Sequence, residues 1–164
     1  MPAPDLRILV TGGTFDKEYD EIHGRLFFRR THVPEMLQLG RCRLAVAVET
    51  VMLKDSLDMT EEDRRLIAER TREAPEARLV ITHGTDTMVE TAAVLAREVP
   101  GKTIVLTGAM IPIAFGSSDG LFNMGGALVA AQILPAGVYV VMNGRVFPWN
   151  RVYKNRETGI FEER

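Results

Sequence analysis

At three places the chain sets threonine and glycine directly after a short apolar run. They read Leu9-Val10-Thr11-Gly12-Gly13-Thr14, Val80-Ile81-Thr82-His83-Gly84-Thr85 and Val105-Leu106-Thr107-Gly108-Ala109-Met110. A threonine hydroxyl is a poor nucleophile until a neighbouring group takes its proton. Glycine beside it permits a tight turn and a close approach of backbone to ligand. Thr11, Thr14, Thr82, Thr85, Asp86 and Thr107 are therefore candidates to line one crevice. Asp86 and Thr87 also open a predicted helix, whose free N–H groups favour an anionic ligand group. Any one of these residues reads as well as a helix cap. Two Gly-Thr pairs on strand ends of one sheet make capping alone a weaker account.

Other motifs fail on spacing. Gly101-Lys102-Thr103 resembles the tail of a phosphate-binding loop, but the first glycine of that pattern would fall on Ala96. It also leads into a strand rather than a helix, so it reads as a turn. Gly116-Ser117-Ser118-Asp119-Gly120 has the spacing of a serine nucleophile elbow. No strand immediately precedes it, and that fold needs a histidine later in the chain, whereas the last histidine is His83. Ser117 or Ser118 reads instead as the cap of the next helix. His23, His32 and His83 lack metal-ligand spacing, and Cys42 has no ligand-type neighbours. Cys42 reads as a small apolar filler beside a strand.

The elements that must position these residues follow from the hydrophobic pattern. Residues 6–10, 43–48, 79–81, 103–106 and 138–142 are short, continuous runs rich in Val, Ile and Leu, as expected for strands buried on both faces. Between them, 61–73 follows Thr60 with Asp63 three places on, a capping-box variant, and 87–98 begins with the box Thr87-x-x-Glu90. Residues 119–134 are apolar almost all round and predict a buried helix; 34–39 predict a shorter one. The alternation predicts an open, mostly parallel, doubly wound α/β sheet of about five strands with helices on both faces. Ligands collect at the carboxyl ends of such strands. Two segments break the pattern. Residues 15–31 form a long polar connection of the kind that serves as a lid, and 145–164 read as an irregular tail.

Length and composition bound the rest. The 164 residues suit one domain, 1–164, and the 46% hydrophobic and 26% charged content is that of an ordinary globular protein. Twenty Lys and Arg against 22 Asp and Glu give a net charge of −2, with no basic field for nucleic acid or an anionic membrane. The longest apolar stretch is far short of a membrane span. One cysteine cannot close an internal disulfide, and no secretory leader is visible, so a soluble, cytoplasmic protein is expected.

Taken together and in order, these motifs resemble the bacterial-type L-asparaginases. Thr11-Gly12-Gly13-Thr14 looks like the first signature of that family, and His83-Gly84-Thr85-Asp86-Thr87-Met88 like the second. Asp55-Ser56-Leu57-Asp58-Met59-Thr60, Thr107-Gly108-Ala109-Met110-Ile111-Pro112 and Ser118-Asp119-Gly120-x-x-Asn123 match further blocks. The resemblance implies hydrolysis of L-asparagine to L-aspartate and ammonia through a threonine-bound β-aspartyl ester, with some glutaminase activity and no cofactor or metal. It implies that Thr14 is the nucleophile on a flexible lid, that Tyr19 is the lid tyrosine, and that Thr85, Asp86 and Lys154 form a second cluster. Asp86 would bind the substrate's α-amino group and Ser56 its α-carboxylate, with Asp55, Thr85 and Ala109 completing the substrate set.

The sequence also departs from the family pattern. Leu57 stands where many members carry a polar residue, and the chain stops where a second, smaller domain would begin. In the usual assembly that domain of a neighbouring subunit supplies an acidic residue; here Glu157, Glu162, Glu163 or Asp20 would have to replace it. A homo-oligomer, most simply a dimer, is expected, with the tail of Trp149, Val152, Tyr153, Ile160 and Phe161 packed on the body or across a two-fold interface. The alternative is a non-catalytic binding module or partner subunit that holds a small amino acid. Retention of Thr14, Thr85, Asp86 and Lys154 favours the enzyme.

Overall fold

A computed structural model describes residues 2–164. Five parallel strands make its centre: β1 (Leu6–Gly12), β4 (Val46–Lys54), β5 (Arg78–Thr82), β6 (Thr103–Thr107) and β7 (Gly137–Met142). A sixth, β8 (Arg145–Pro148), closes one edge antiparallel to β7. Their order across the sheet is β4-β1-β5-β6-β7-β8.

Side chains of the central strands alternate between two cores. Leu9, Leu79, Ile81, Ile104, Leu106, Val138 and Val140 meet α2 (Glu61–Glu73) and α3 (Met88–Glu98) on one face. Ile8, Val10, Val80, Val105 and Val141 meet α1 (Val33–Leu39) and α4 (Gly120–Ile133) on the other. Burial on both faces is why these strands read as unbroken apolar runs.

The structure revises several expectations. The second strand lies at Val46–Lys54 rather than 43–48. It is the sheet edge and only half-buried, so it carries Glu49 and Thr50, which a rule seeking buried runs excludes. Residues 145–164 are not irregular. Asn143 and Gly144, both at positive φ (51° and 84°), close a two-residue hairpin onto β8, the turn such a dipeptide favours. β9 (Val152–Asn155) and β10 (Ile160–Glu163) form a further hairpin. Phe147, Val152 and Phe161 from this segment are buried in the α2–α3 core. Residues 15–31 hold a hairpin too, β2 (Lys17–Asp20) paired with β3 (Arg25–Phe28).

The helices show two further differences. The Thr60 capping box forms with Asp63 in both directions, at 3.2 and 2.9 Å. The Thr87-x-x-Glu90 box does not, because the Thr87 hydroxyl donates to the Ser56 carbonyl instead (2.8 Å). α4 is not buried all round: Phe122, Val129 and Ile133 are 66%, 58% and 75% exposed. Among the described residues no helix is long and apolar enough to cross a membrane.

Candidate active site

β1 and β5 are neighbours, yet the chain leaves them towards opposite edges of the sheet, β1 connecting outward to β4 and β5 to β6. This is the topological switch point at which an open α/β sheet forms its crevice. The two Gly-Thr turns meet there. A β-carbon at Gly13, whose φ is 77°, would sit 2.4 Å from the Gly84 nitrogen. One at Gly84 would sit 2.6 Å from the Ser56 hydroxyl oxygen. Only glycine lets the three loops after β1, β4 and β5 touch backbone to backbone, and that contact brings Thr14 and Thr85 onto one rim.

The threonines of the three repeated endings divide into two groups. Thr11, Thr82 and Thr107 are fully buried and do not line the crevice. The Thr11 hydroxyl donates to the Thr82 carbonyl (2.6 Å) and that of Thr107 to the Val141 carbonyl (2.7 Å). These two hydroxyls fasten strand ends to one another, whereas the buried Thr82 hydroxyl has no partner among the described residues. Thr14, at the start of a 3-10 turn over Thr14–Asp16, is partly exposed, and its hydroxyl takes part in no hydrogen bond among the described residues.

Lys154 arrives from β9, 68 residues beyond Asp86. Its Nζ donates to Thr85 Oγ1 and to Asp86 Oδ1, each at 2.7 Å. The lysine side chain is only 10% exposed and the aspartate 34%, so the ammonium is held by these two partners more than by water. Arg156 donates to the Asp86 carbonyl (3.1 Å), and a polar cavity of ≈ 240 Å³ opens beside the pair, lined by Glu90, Tyr153 and Arg164 among others. Two larger cavities, of ≈ 430 and ≈ 490 Å³, flank α4, away from this cluster.

The remaining candidates are placed as follows. Ser56 is buried, accepting from the Thr87 N–H at 3.3 Å. Asp55 accepts from the Leu57 N–H (3.0 Å) and forms an ion pair with Lys17 of the β2–β3 hairpin, a partner with no motif to announce it. Net, these bonds hold the Asp55 carboxyl below its ordinary range against the opposing effect of burial. Ala109 is 1% exposed, packed in the α1–α4 core, so only its backbone can serve a ligand. Tyr19 lies edge-on to Phe115, ring centroids 6.4 Å apart, with its hydroxyl beside the hairpin turn at Gly24 rather than on the Thr85–Lys154 cluster.

Among the described residues none of the four replacement carboxylates is hydrogen-bonded to Thr14, Thr85 or Lys154. Asp20 is bound by His23 (2.6 Å), Glu162 accepts from Tyr153, Glu163 lies 4.0 Å from Arg145, and Glu157 is exposed. Among the described residues no group of three or more His, Cys, Asp or Glu could hold a metal ion.

Two residues of the Ser118-to-Asn123 block take a supporting role that the motif alone did not assign. Asp119 accepts from the Met110 and Ile111 N–H groups at 3.0–3.1 Å and from Asn123 Nδ2 at 3.0 Å. Asn123 also donates to the Gly108 carbonyl (2.8 Å). The loop after β6 is thus clamped to the start of α4, and the i, i+4 spacing of Asp119 and Asn123 was the available signal. Ser118 accepts from the Gly120 N–H at 2.9 Å, but the N-cap of α4 is Asp119, so neither Ser117 nor Ser118 takes the cap position expected of it.

His83 is fully buried behind the crevice. Its Nδ1–H donates to the Gly84 carbonyl and its Nε2 accepts from the Thr91 hydroxyl, both at 2.7 Å. Burial pushes its pKa down from 6.5 to about 4. The depressed value makes the contribution of His83 full above pH 6.5 and progressively lost as pH falls towards 4, by about 3 kcal/mol. Urea unfolding of the parent should therefore lose stability steeply between pH 6.5 and 4.5. In His83→Gln that slope should flatten by roughly this amount; an identical slope would exclude His83 as its source.

Comparison with known proteins places this geometry. The family description "Asparaginase, N-terminal" matches residues 5–161. L-asparaginase 1 of Escherichia coli (strain K12) is 33% identical over 169 aligned positions, covering 97% of this chain and 50% of the relative. A component of the glutamyl-tRNA(Gln) amidotransferase of Methanococcus vannielii is 37% identical over 153, covering 87% and 35%. Among solved structures, the thermostable L-asparaginase from Thermococcus kodakarensis superposes with a TM-score of 0.83 at 32% identity, covering 96% of this chain and 50% of that one. The chain spans about half the length of the E. coli relative.

Proposed function

The chain belongs to the asparaginase family, and on that premise we propose that it hydrolyses the side-chain amide of L-asparagine through a threonine ester. The observation that carries the proposal is the bridging of Thr85 and Asp86 by Lys154, next to the glycine contact that sets Thr14 on the same rim. A scaffold alone has no need to hold a largely covered lysine against a threonine hydroxyl.

In this reading Thr14 Oγ attacks the amide carbon and its proton passes to the departing nitrogen. Thr85 and Lys154 relay that proton. The oxyanion that develops is met by backbone N–H groups of the Gly-Thr turns. The C–N bond breaks, ammonia leaves, and a β-aspartyl ester remains on Thr14. Water then adds to the ester carbon by the same relay and releases aspartate. Asp86 pairs with the substrate's ammonium group, and Ser56 faces its α-carboxylate. L-glutamine differs by one methylene, a small discrimination set by the lid.

Ammonia release from L-asparagine by the purified chain, with L-glutamine in parallel, tests the reaction. A second reading, an amide-handling component that works only in a larger assembly, is favoured by the likeness to part of an amidotransferase. No ammonia from the chain alone, together with retained aspartate binding, would select it.

Asp86→Asn separates substrate binding from capping. It should weaken aspartate binding about tenfold to a hundredfold, the worth of a charge-assisted hydrogen bond, and lower turnover as well. Unchanged affinity by calorimetry would leave Asp86 a structural partner of Lys154 alone.

A further inference from the structure

The Thr85 hydroxyl has one proton and one place to direct it. Its oxygen accepts from Lys154 Nζ at 2.7 Å, and its O–H donates to the sulfur of Met110, 3.8 Å away. Among the described residues that sulfur is the acceptor this hydroxyl has. A thioether accepts only weakly, so the proton is oriented but loosely held. The sulfur is kept in place from two sides. The Met110 N–H donates to the Asp119 carboxylate (3.0 Å). A β-carbon at Gly159, in the turn between β9 and β10, would meet the Met110 ε-methyl at 3.1 Å. The side chain thus reaches from the loop after β6 to the hairpin that delivers Lys154.

Met110 differs from the other methionines in access. It is 42% exposed, whereas Met36, Met59, Met88, Met124 and Met142 are at most 8% exposed and Met52 is half-buried against the α2–α3 core. Met142 makes a similar contact, its sulfur 3.7 Å from the Thr107 hydroxyl, but it is closed to solutes. An oxidant dissolved in water therefore meets Met110 first, and meets it against a hydroxyl of the candidate site.

We propose that Met110 is a modification site through which a hydroperoxide reversibly arrests the enzyme, an inference that rests on the reaction proposed above. The sulfur attacks the terminal oxygen of the hydroperoxide; the O–O bond breaks and an S–O bond forms. The sulfur is oxidised by two electrons and the hydroperoxide is reduced. Its other oxygen takes the peroxide proton and departs as water or an alcohol, so the protein gains one oxygen atom and no charge. The sulfoxide that results is polar, and its oxygen is a strong acceptor where a weak one stood. That oxygen brings the contact with Thr85 to the ~2.7 Å of an ordinary O–H···O bond. The Thr85 proton is then held on the sulfoxide and withheld from the relay with Lys154, and the added bond must be broken in every turnover.

Hydrogen peroxide added to the purified chain, followed by peptide mass mapping, tests the proposal. Met110 should gain one oxygen before the buried methionines do. Ammonia release from L-asparagine should fall about tenfold in step with that oxygen, the worth of one added hydrogen bond, and return when methionine sulfoxide reductases remove it. Met110→Leu, a volume-conserving change, should hold its own untreated rate through the same treatment. If that variant misfolds, the reductase reversal in the parent decides the matter. A nuclear magnetic resonance signal from lysine labelled at Cε reads the contact without activity. The Lys154 signal, assigned by its absence in Lys154→Met, should move on oxidation of the parent and stay still in treated Met110→Leu. An untreated parent that releases no ammonia refutes the reaction, and the signal then still decides whether the sulfoxide captures Thr85. Oxidation of buried methionines ahead of Met110, or a fully oxidised Met110 with rate and signal unchanged, overturns the proposal.

Discussion

Thr14→Ala should lose about four orders of magnitude or more in kcat for L-asparagine while unfolding within a few degrees of the parent. The size follows from the role: without the hydroxyl no ester forms, and only water held in the site can act, at the residual rate left when a nucleophile is removed. The unchanged stability follows from the surroundings. Thr14 is only partly buried, and its hydroxyl takes part in no hydrogen bond among the described residues, so no buried partner is orphaned. Aspartate binding should survive, because Asp86 and Ser56 are untouched. Steady-state ammonia release and a thermal melt suffice. Turnover within tenfold of the parent would shift the nucleophile to Thr85 or remove the ester from the scheme.

Lys154→Met should cost about three orders of magnitude in kcat, with a smaller change in KM. Methionine keeps the length of the side chain and its packing stem but can neither accept nor return a proton, and positioned acid–base groups contribute about 10²–10⁴. Thr85 and Asp86 both lose their shared donor, so part of the loss is misplacement of the two. The pH profile separates these effects. If Lys154 relays the proton, the variant's pH profile differs in shape from the parent's; if it only positions its neighbours, the profile keeps its shape at a lower level.

The fold was legible to the extent that burial was two-sided. β1, β5, β6 and β7 are flanked by helices on both faces, so their apolar runs, with the threonine-and-glycine endings of β1, β5 and β6, pointed to one sheet edge. Elements buried on one side or at an edge were harder to read. β4 carries Glu49 because Arg7 and Arg70 meet it across the sheet edge. β8 was signalled by Asn143-Gly144, but only its pairing with β7 shows that the turn is a hairpin. Lys17 illustrates what has no local sign at all: its partner Asp55 is 38 residues away.

By itself, then, the amino-acid order determined the α/β class, the shared rim of strand ends and the identity of the two Gly-Thr turns. These depend on local periodicity and on residues whose backbone freedom is fixed by type. Tertiary structure alone decided which threonines are free. Thr11, Thr82 and Thr107 read like Thr14 and Thr85 in the sequence, but their neighbours in the sheet bury them. It also decided that Lys154, a lone lysine in what reads as an irregular tail, is folded back 69 residues onto Thr85. Such contacts rest on the burial of Val152 and Phe161, which flank the lysine in the β9–β10 hairpin. A long-range contact of this kind exists only after the chain has closed on itself.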